Sequence, residues 1–290
     1  MVTIIIPAYN EENGIRDVLC NLQKGLSAHH IEAKITVVDD GSTDHTAQTV
    51  QNIPGITLIR HPYNKGYGAA LKTGVEAADT EWCMTYDADG QHTPDLIPLL
   101  LKEMNALNHM VVGKREGYKG PWIRQPGKRL IHIVANYLVE RRIPDLNSGL
   151  RAFRRNIFLR YAHLFPNGFS LSTTSTVCFF KENLNIAYVP IRIQKRTGKS
   201  TVRPNDFIKT LMLIVRLTML FSPLRIFLPL SILLGLATAC WVGYGIVVQQ
   251  NISDSAVILI ALTTLTFFFG LLADQIAAIR REQHAHHSSS

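Results

Sequence analysis

The chain has 290 residues, 47% of them hydrophobic, with 30 Lys and Arg against 22 Asp and Glu for a formal charge of +8. That length buries one sizeable core and still spares a membrane region, and four scattered cysteines with no CxxC pairing exclude a disulfide framework or a zinc site. The basic balance suits nucleic acid, an anionic membrane surface or phosphorylated small molecules alike, but no nucleic-acid motif or stacking platform accompanies it, which argues against a nucleic-acid partner.

A β-rich run begins almost at once, at Val2–Ile6, with no charged leader or cleavage site before it, so no secretory signal is expected. Further β-rich runs follow at Lys34–Asp39, Ile56–Arg60 and Trp82–Tyr86, and they alternate with helical periodicity over Glu11–Leu26, Asp44–Gln51, Gly66–Ala78 and Pro94–Met104. This alternation predicts an α/β fold of βαβ units around a mainly parallel sheet, with ligands gathered at the C-terminal strand ends. Polar clusters fall at three of those ends, at residues 7–11, 39–42 and 87–91. A boundary is expected near residue 205, because apolar runs before it are short and broken, whereas beyond 225 almost no charge occurs until Asp274. Residues 205–223 read as an interfacial helix with Lys209 and Arg216 on one face, ended by Ser222-Pro223. Two apolar runs close the chain. Ile226–Val248 would measure ~35 Å as a helix and Ala256–Ala273 ~27 Å, against a ~30 Å hydrocarbon core, which predicts a transmembrane hairpin over 224–279. The connector 249–254 carries no Lys or Arg, whereas Arg216, Arg225, Arg280 and Arg281 flank the hairpin, so both ends and the tail 280–290 are expected in the cytoplasm.

Asp87-Ala88-Asp89-Gly90-Gln91 places two carboxylates two residues apart at a strand end, a pattern suited to one hard cation that also takes substrate phosphate oxygens. Glu11, Asp39 and Asp40 come from neighbouring strand ends, and such a gathering of acid points to a cation or a hydrogen-bonded ligand. Gly198-Lys199-Ser200 is no Walker loop, since Ile193 stands where its first glycine belongs, and Gly66-Tyr67-Gly68 lacks the third glycine of a dinucleotide fingerprint.

Ile5-Ile6-Pro7-Ala8-Tyr9-Asn10-Glu11, Val37 to Asp44, Asn64 to Ala70 and Asp87 to His92 follow in the order and approximate spacing of family 2 glycosyltransferases with the GT-A fold. The match covers roughly residues 2 to 210, taken here as a catalytic domain over 1–204. With the hairpin, the chain resembles the polyprenyl-phosphate glycosyltransferases, the group of dolichyl-phosphate mannose synthases and bactoprenol glucosyltransferases. The resemblance implies that Pro7, Tyr9, Glu11, Asp39, Asp40, Asp87 and Ala88 hold the nucleotide, and that Asp87, Asp89 and Gln91 surround Mg²⁺ or Mn²⁺. It further implies that Arg115 and Arg129 hold the lipid phosphate and that Arg196, Lys199 and Ser200 form a basic loop over the diphosphate or lipid phosphate. Arginine suits that task because its fork binds phosphate bidentately. His92 is expected to be structural. Asp145 to Arg151 resembles the family's Ser-Gly-Phe-Arg segment with Leu150 in place of the aromatic, and residues 169–175 offer only hydroxyls where related mannose synthases carry an acid, so mannose is not implied.

The expected reaction is inverting transfer of one sugar from a UDP- or GDP-sugar to undecaprenyl or dolichyl phosphate, with Asp89, Arg115 and Arg129 as the catalytic residues. Alternatives are a processive polysaccharide synthase, whose Gln-x-x-Arg-Trp pattern is missing, and a membrane scaffold that binds nucleotide or lipid without catalysis. A small homo-oligomer packed through its membrane helices is also expected.

Overall fold

The computed structural model describes all residues except 117–124, 169, 194–204, 252 and 288–290. The chain divides into two compact units, Met1–Leu213 and Ile214–Ser290, with helix α8 (Asn205–Phe221) running across the division.

In the first unit seven strands form one sheet: β1 (Val2–Ala8), β2 (Ala33–Asp39), β3 (Ile56–Arg60), β4 (Trp82–Thr85), β5 (Met110–Arg115), β6 (Arg151–Arg154) and β7 (Ile186–Ile191), in the order β3-β2-β1-β4-β6-β5-β7. Neighbours are parallel except that β6 runs antiparallel to both β4 and β5. The central strands are apolar on both faces, with Ile4, Ile5, Ile6, Val37 and Val38 all buried, as a sheet covered on both sides requires. Helix α1 (Ile15–Ala28) buries Ile15, Leu19, Leu22 and Leu26, a helical-period stripe facing this core. It starts four residues later than the periodicity suggests. Residues 11–14 form a turn in which Gly14 and Ile15 both donate to the Glu11 carbonyl, and Asn10 before it is left-handed at φ 54°.

The remaining helices of this unit are α2 (Thr46–Gln51), α3 (Tyr67–Ala77), α4 (Ile97–Glu103), α5 (Gln125–Val139), α6 (Arg155–Tyr161) and α7 (Leu171–Lys181). The antiparallel β6 has a consequence for the site. Its first residue, Arg151, pairs with Thr85, the last of β4, so the loop entering β6 sits at the same sheet edge where β1, β2, β4 and β5 end.

The second unit is a helical hairpin. Helix α9 (Leu224–Tyr244) continues through a π-helical turn (Gly245–Gln249) to a left-handed Gln250, and α10 (Asp254–His287) returns. Leu224–Val248 and Asp254–Ile279 are each long and apolar enough to cross a membrane. The second span, 26 residues or ~39 Å, is longer than its apolar run because Asp274 and Gln275 extend the helix without breaking it. Leu233, Leu236, Ile258 and Phe268 are more than half exposed, an outward apolar surface that suits lipid rather than water. The facing sides pack through small and hydroxyl residues, as membrane helices do. A Cβ on Gly270 would stand 2.5 Å from Phe227 Cβ, Thr238 and Thr263 hydroxyls meet at 3.1 Å, and Trp241 Nε1 donates to Ser255 Oγ.

Candidate active site

The loops after β1 and β2 are laced together. Asn10 N–H donates to Ser42 Oγ (3.0 Å), Thr43 N–H to Asn10 Oδ1 (2.9 Å), Glu11 N–H to Thr46 Oγ1 (2.8 Å) and Glu12 N–H to Asp44 Oδ2 (3.2 Å). This lacing holds Glu11 half-buried at the sheet edge and leaves Tyr9 42% exposed beside it. Pro7 is buried within β1, paired in register with Val38, and Ala88 is buried below the carboxylate turn.

The two acids at the end of β2 are buried and hydrogen-bonded within the protein. Asp39 is fully buried and accepts Ser42 N–H (3.0 Å) and Arg60 Nε (3.2 Å). Asp40 is 3% exposed. Its Oδ1 meets His61 Nδ1 at 2.7 Å and accepts Lys65 N–H at 2.9 Å, while Oδ2 accepts Gly66 N–H at 2.8 Å. The carboxylate of Asp40 therefore braces the 61–66 loop. Arg60 and His61 stand beside these two carboxylates. Among the described residues no group of three His, Cys, Asp or Glu side chains converges to hold a metal ion.

What stands at the crevice is the turn after β4. Asp87 and Asp89 are half-buried. Tyr67 Oη donates to Asp87 Oδ1 at 3.3 Å, His92 Nε2 lies 3.5 Å from Asp87 Oδ2, and Gln91 N–H donates to Asp89 Oδ1 at 3.1 Å. His92 is buried with its ring edge-on to Tyr86, and the Tyr86 hydroxyl donates to the His92 carbonyl. Gly149, entering β6, is required by Asp87. A Cβ there would stand 2.0 Å from Asp87 Oδ2, so the missing side chain is the cradle in which that carboxylate lies. Asp87, Asp89 and the Gln91 amide supply oxygen donors of the kind that a divalent cation completed by phosphate oxygens takes, the usual arrangement for Mg²⁺ with a nucleotide.

Beyond this turn, Arg115 at the end of β5 grips Asp145. Its Nε donates to Oδ2 at 2.8 Å, its Nη2 to Oδ1 at 2.9 Å and its backbone N–H to Oδ2 at 3.1 Å. Burial works to raise the Asp145 carboxyl, but this fork and the backbone donors of Arg115 and Asn147 prevail and hold it below the ordinary carboxylate value. Arg115 thus already clasps an anion of the protein's own, thirty residues on. Arg129 lies exposed on α5. Arg196, Lys199 and Ser200 lie outside the described residues.

Arg151 is fully buried. Its guanidinium donates to the Ser148 and Ser172 carbonyls and to the Ser175 and Thr176 hydroxyls, while burial pulls its pKa down. The hydroxyl run of α7 therefore cradles an arginine. Sequence assigns no role to Tyr67, His61, Asp145 or Gly149. Their signal is a partner distant in sequence, which a single chain does not display.

Residues 3–162 match Glycosyl transferase family 2, and the chain belongs to that family. Residues 222–279 match the GtrB C-terminal hairpin, which makes the second unit a membrane-associating element. A UDP-N-acetylglucosamine–dolichyl-phosphate N-acetylglucosaminyltransferase of Methanococcus voltae is 30% identical over 218 residues, spanning 66% of this chain and 85% of that protein. An undecaprenyl-phosphate 4-deoxy-4-formamido-L-arabinose transferase of Proteus mirabilis (strain HI4320) is 30% identical over 161 residues, spanning 54% of this chain and 49% of that longer protein. Among solved structures, glucosyl-3-phosphoglycerate synthase from Mycobacterium tuberculosis in complex with Mn²⁺, UDP-glucose and phosphoglyceric acid aligns with a TM-score of 0.62 at 18% identity, covering 75% of this chain and 79% of that one. At that identity the likeness is one of fold.

Proposed function

We propose that the protein transfers one sugar from a UDP- or GDP-sugar to a polyprenyl phosphate, undecaprenyl or dolichyl, to give a lipid-phosphate-linked monosaccharide. The observation that carries this reading is the union, in one chain, of a family 2 domain and a GtrB-type hairpin. The relatives named for dolichyl-phosphate and undecaprenyl-phosphate transfer support it. Residues 1–204 act as the cytosolic catalytic domain, 205–223 as a helix in the membrane interface, 224–279 as the transmembrane hairpin and 280–290 as a cytosolic tail.

In the reaction an oxygen of the acceptor phosphate forms a bond to the anomeric carbon as the bond to the nucleoside diphosphate breaks, with inversion. The acceptor is an anion at neutral pH, so no general base is needed. What the protein must do is bring two anions together and orient them. Tyr9, Glu11 and Asp39 lie along the nucleotide side, with Pro7 and Asp40 shaping it from beneath. Asp87, Asp89 and Gln91 would hold Mg²⁺ or Mn²⁺, which when bound supplies positive charge to the departing diphosphate. Arg115, oriented by Asp145, and Arg129 meet the acceptor phosphate, and Arg196, Lys199 and Ser200 extend that basic surface. Two spans per subunit are compatible with a homo-oligomer packed through the hairpins.

The test incubates detergent-purified protein and Mg²⁺ or Mn²⁺ with undecaprenyl or dolichyl phosphate and a panel of UDP- and GDP-sugars, reading lipid products by mass spectrometry. A single glycosyl-phosphate-lipid from one donor is expected, and Asp89→Ala should nearly abolish it at unchanged thermal stability. Full turnover by that variant would remove Asp89 from the mechanism.

A further inference from the structure

The motif Asn64 to Ala70 runs from the Asp40 brace to the carboxylate turn. Asp40 pins the backbone N–H groups of Lys65 and Gly66. His61 backs Asp40 at 2.7 Å through Nδ1 and meets Thr73 Oγ1 at 3.0 Å through Nε2, both Asp40 and His61 being buried. Gly66 takes φ 101°, and a Cβ there would stand 2.4 Å from the Asn167 carbonyl oxygen. That same oxygen accepts the N–H groups of Gly68 and Ala69. Tyr67 is therefore clamped at its backbone from both sides, and its hydroxyl reaches Asp87 Oδ1.

We propose that Tyr67 is a positioning residue for the cation-binding carboxylate Asp87, and that the Asp40–His61 pair acts on the reaction through it. This rests on the reading of Asp87 as a cation ligand. A carboxylate at a sheet edge rotates among staggered and near-staggered positions, and hydrogen bonds from outside the coordination shell fix which one it presents. Around Asp87 the fixing groups are the Tyr67 hydroxyl at Oδ1, with His92 Nε2 and the bare Gly149 on the Oδ2 side. A tyrosine hydroxyl is protonated at neutral pH and can serve as a donor, and here it is aimed at Asp87 Oδ1. The loop that Asp40 braces thus also sets the geometry of the cation site, which couples a residue that the resemblance assigns to the nucleotide with a carboxylate that it assigns to the cation.

The test is Tyr67→Phe, which removes one oxygen and keeps the ring. Mn²⁺ binding to the full-length protein in detergent is titrated by electron paramagnetic resonance of the unbound ion, with UDP and separately with GDP. The expected result is about a 10-fold weaker Mn²⁺ affinity at unchanged melting temperature, with turnover largely restored at saturating Mn²⁺. His61→Gln, which leaves the phenol in place and loosens its clamp, should shift the affinity in the same direction by less. If Tyr67→Phe does not fold, that second variant decides, and wild-type affinity in it overturns the proposal. Equal Mn²⁺ affinity in Tyr67→Phe and wild type overturns the role of Tyr67 while leaving the cation site standing. A wild-type protein that binds no Mn²⁺ with either nucleotide overturns both.

Discussion

At the scale of single residues, the most consequential position is one with no side chain. The space a methyl group would need at Gly149 is filled by the end of the Asp87 side chain rather than by backbone. Asp87 can swing aside, so Gly149→Ala should fold with little loss of stability while displacing the carboxylate by about an ångström. Misplacement on that scale costs on the order of 100-fold in rate. The expected outcome is therefore a variant within a few degrees of the wild-type melting temperature with turnover down about 100-fold, checked by paired thermal unfolding and product assays. Unchanged turnover would mean that the cradle is incidental. Arg151 illustrates the opposite case, a side chain whose chemistry is wholly internal. Surrounded by carbonyls and hydroxyls, it orders the loop that presents Gly149.

At the scale of elements, Asp145 joins the end of β5 to the loop that enters the antiparallel β6. The Arg115 guanidinium and Asp145 are both largely shielded, at 23% and 11% side-chain exposure, so removing one charge leaves the other poorly compensated. Asp145→Asn should cost about 2–3 kcal/mol at neutral pH, read by unfolding in detergent. The folded carboxyl titrates below the ordinary value of 3.8. Its stabilisation is therefore complete above that value and is lost as pH falls through the lower folded pKa, so the gap between wild type and variant should close only below about pH 4. A gap that persists unchanged at pH 2 would assign the effect to shape rather than charge. This pairing also marks the limit of what could be read beforehand. The first four strands and their parallel order were legible because Ile4, Ile5, Ile6, Val37 and Val38 form short apolar runs between helical stripes. Strand β6 was not, because Arg151-Ala152-Phe153-Arg154 shows no alternation and buries an arginine. Helix α7 was illegible for a related reason, since its first half is a buried run of Ser and Thr, of which Ser172, Ser175 and Thr176 bond Arg151. The carboxylate turn could be placed at a strand end, whereas the inward set of Asp40 depends on His61 and Gly66, whose contact is made only by the fold.

At the scale of the whole molecule, the charge distribution predicts which side of the membrane carries the catalytic unit. The hairpin's connector carries no Lys or Arg over 249–254, while Arg216 and Arg225 precede α9 and Arg280 and Arg281 lie near the end of α10. Cytoplasmic loops concentrate Lys and Arg, and an anionic leaflet holds each such residue near its surface by about 1 kcal/mol. Nucleotide sugars are water-soluble and phosphorylated, so a catalytic unit on the cytoplasmic side has its donor at hand. Both arguments put the connector outside. The prediction is checked by replacing the exposed Cys240 and the part-exposed Cys20 with serine, leaving Cys83 and Cys178 buried, and then introducing Asn251→Cys or Ser27→Cys separately. A membrane-impermeant maleimide applied to intact spheroplasts should modify the Asn251→Cys protein and spare the Ser27→Cys protein until the membrane is opened by detergent. The reverse pattern would place the sugar-transfer site on the far side, and the charge asymmetry around the hairpin would then have to serve something other than orientation.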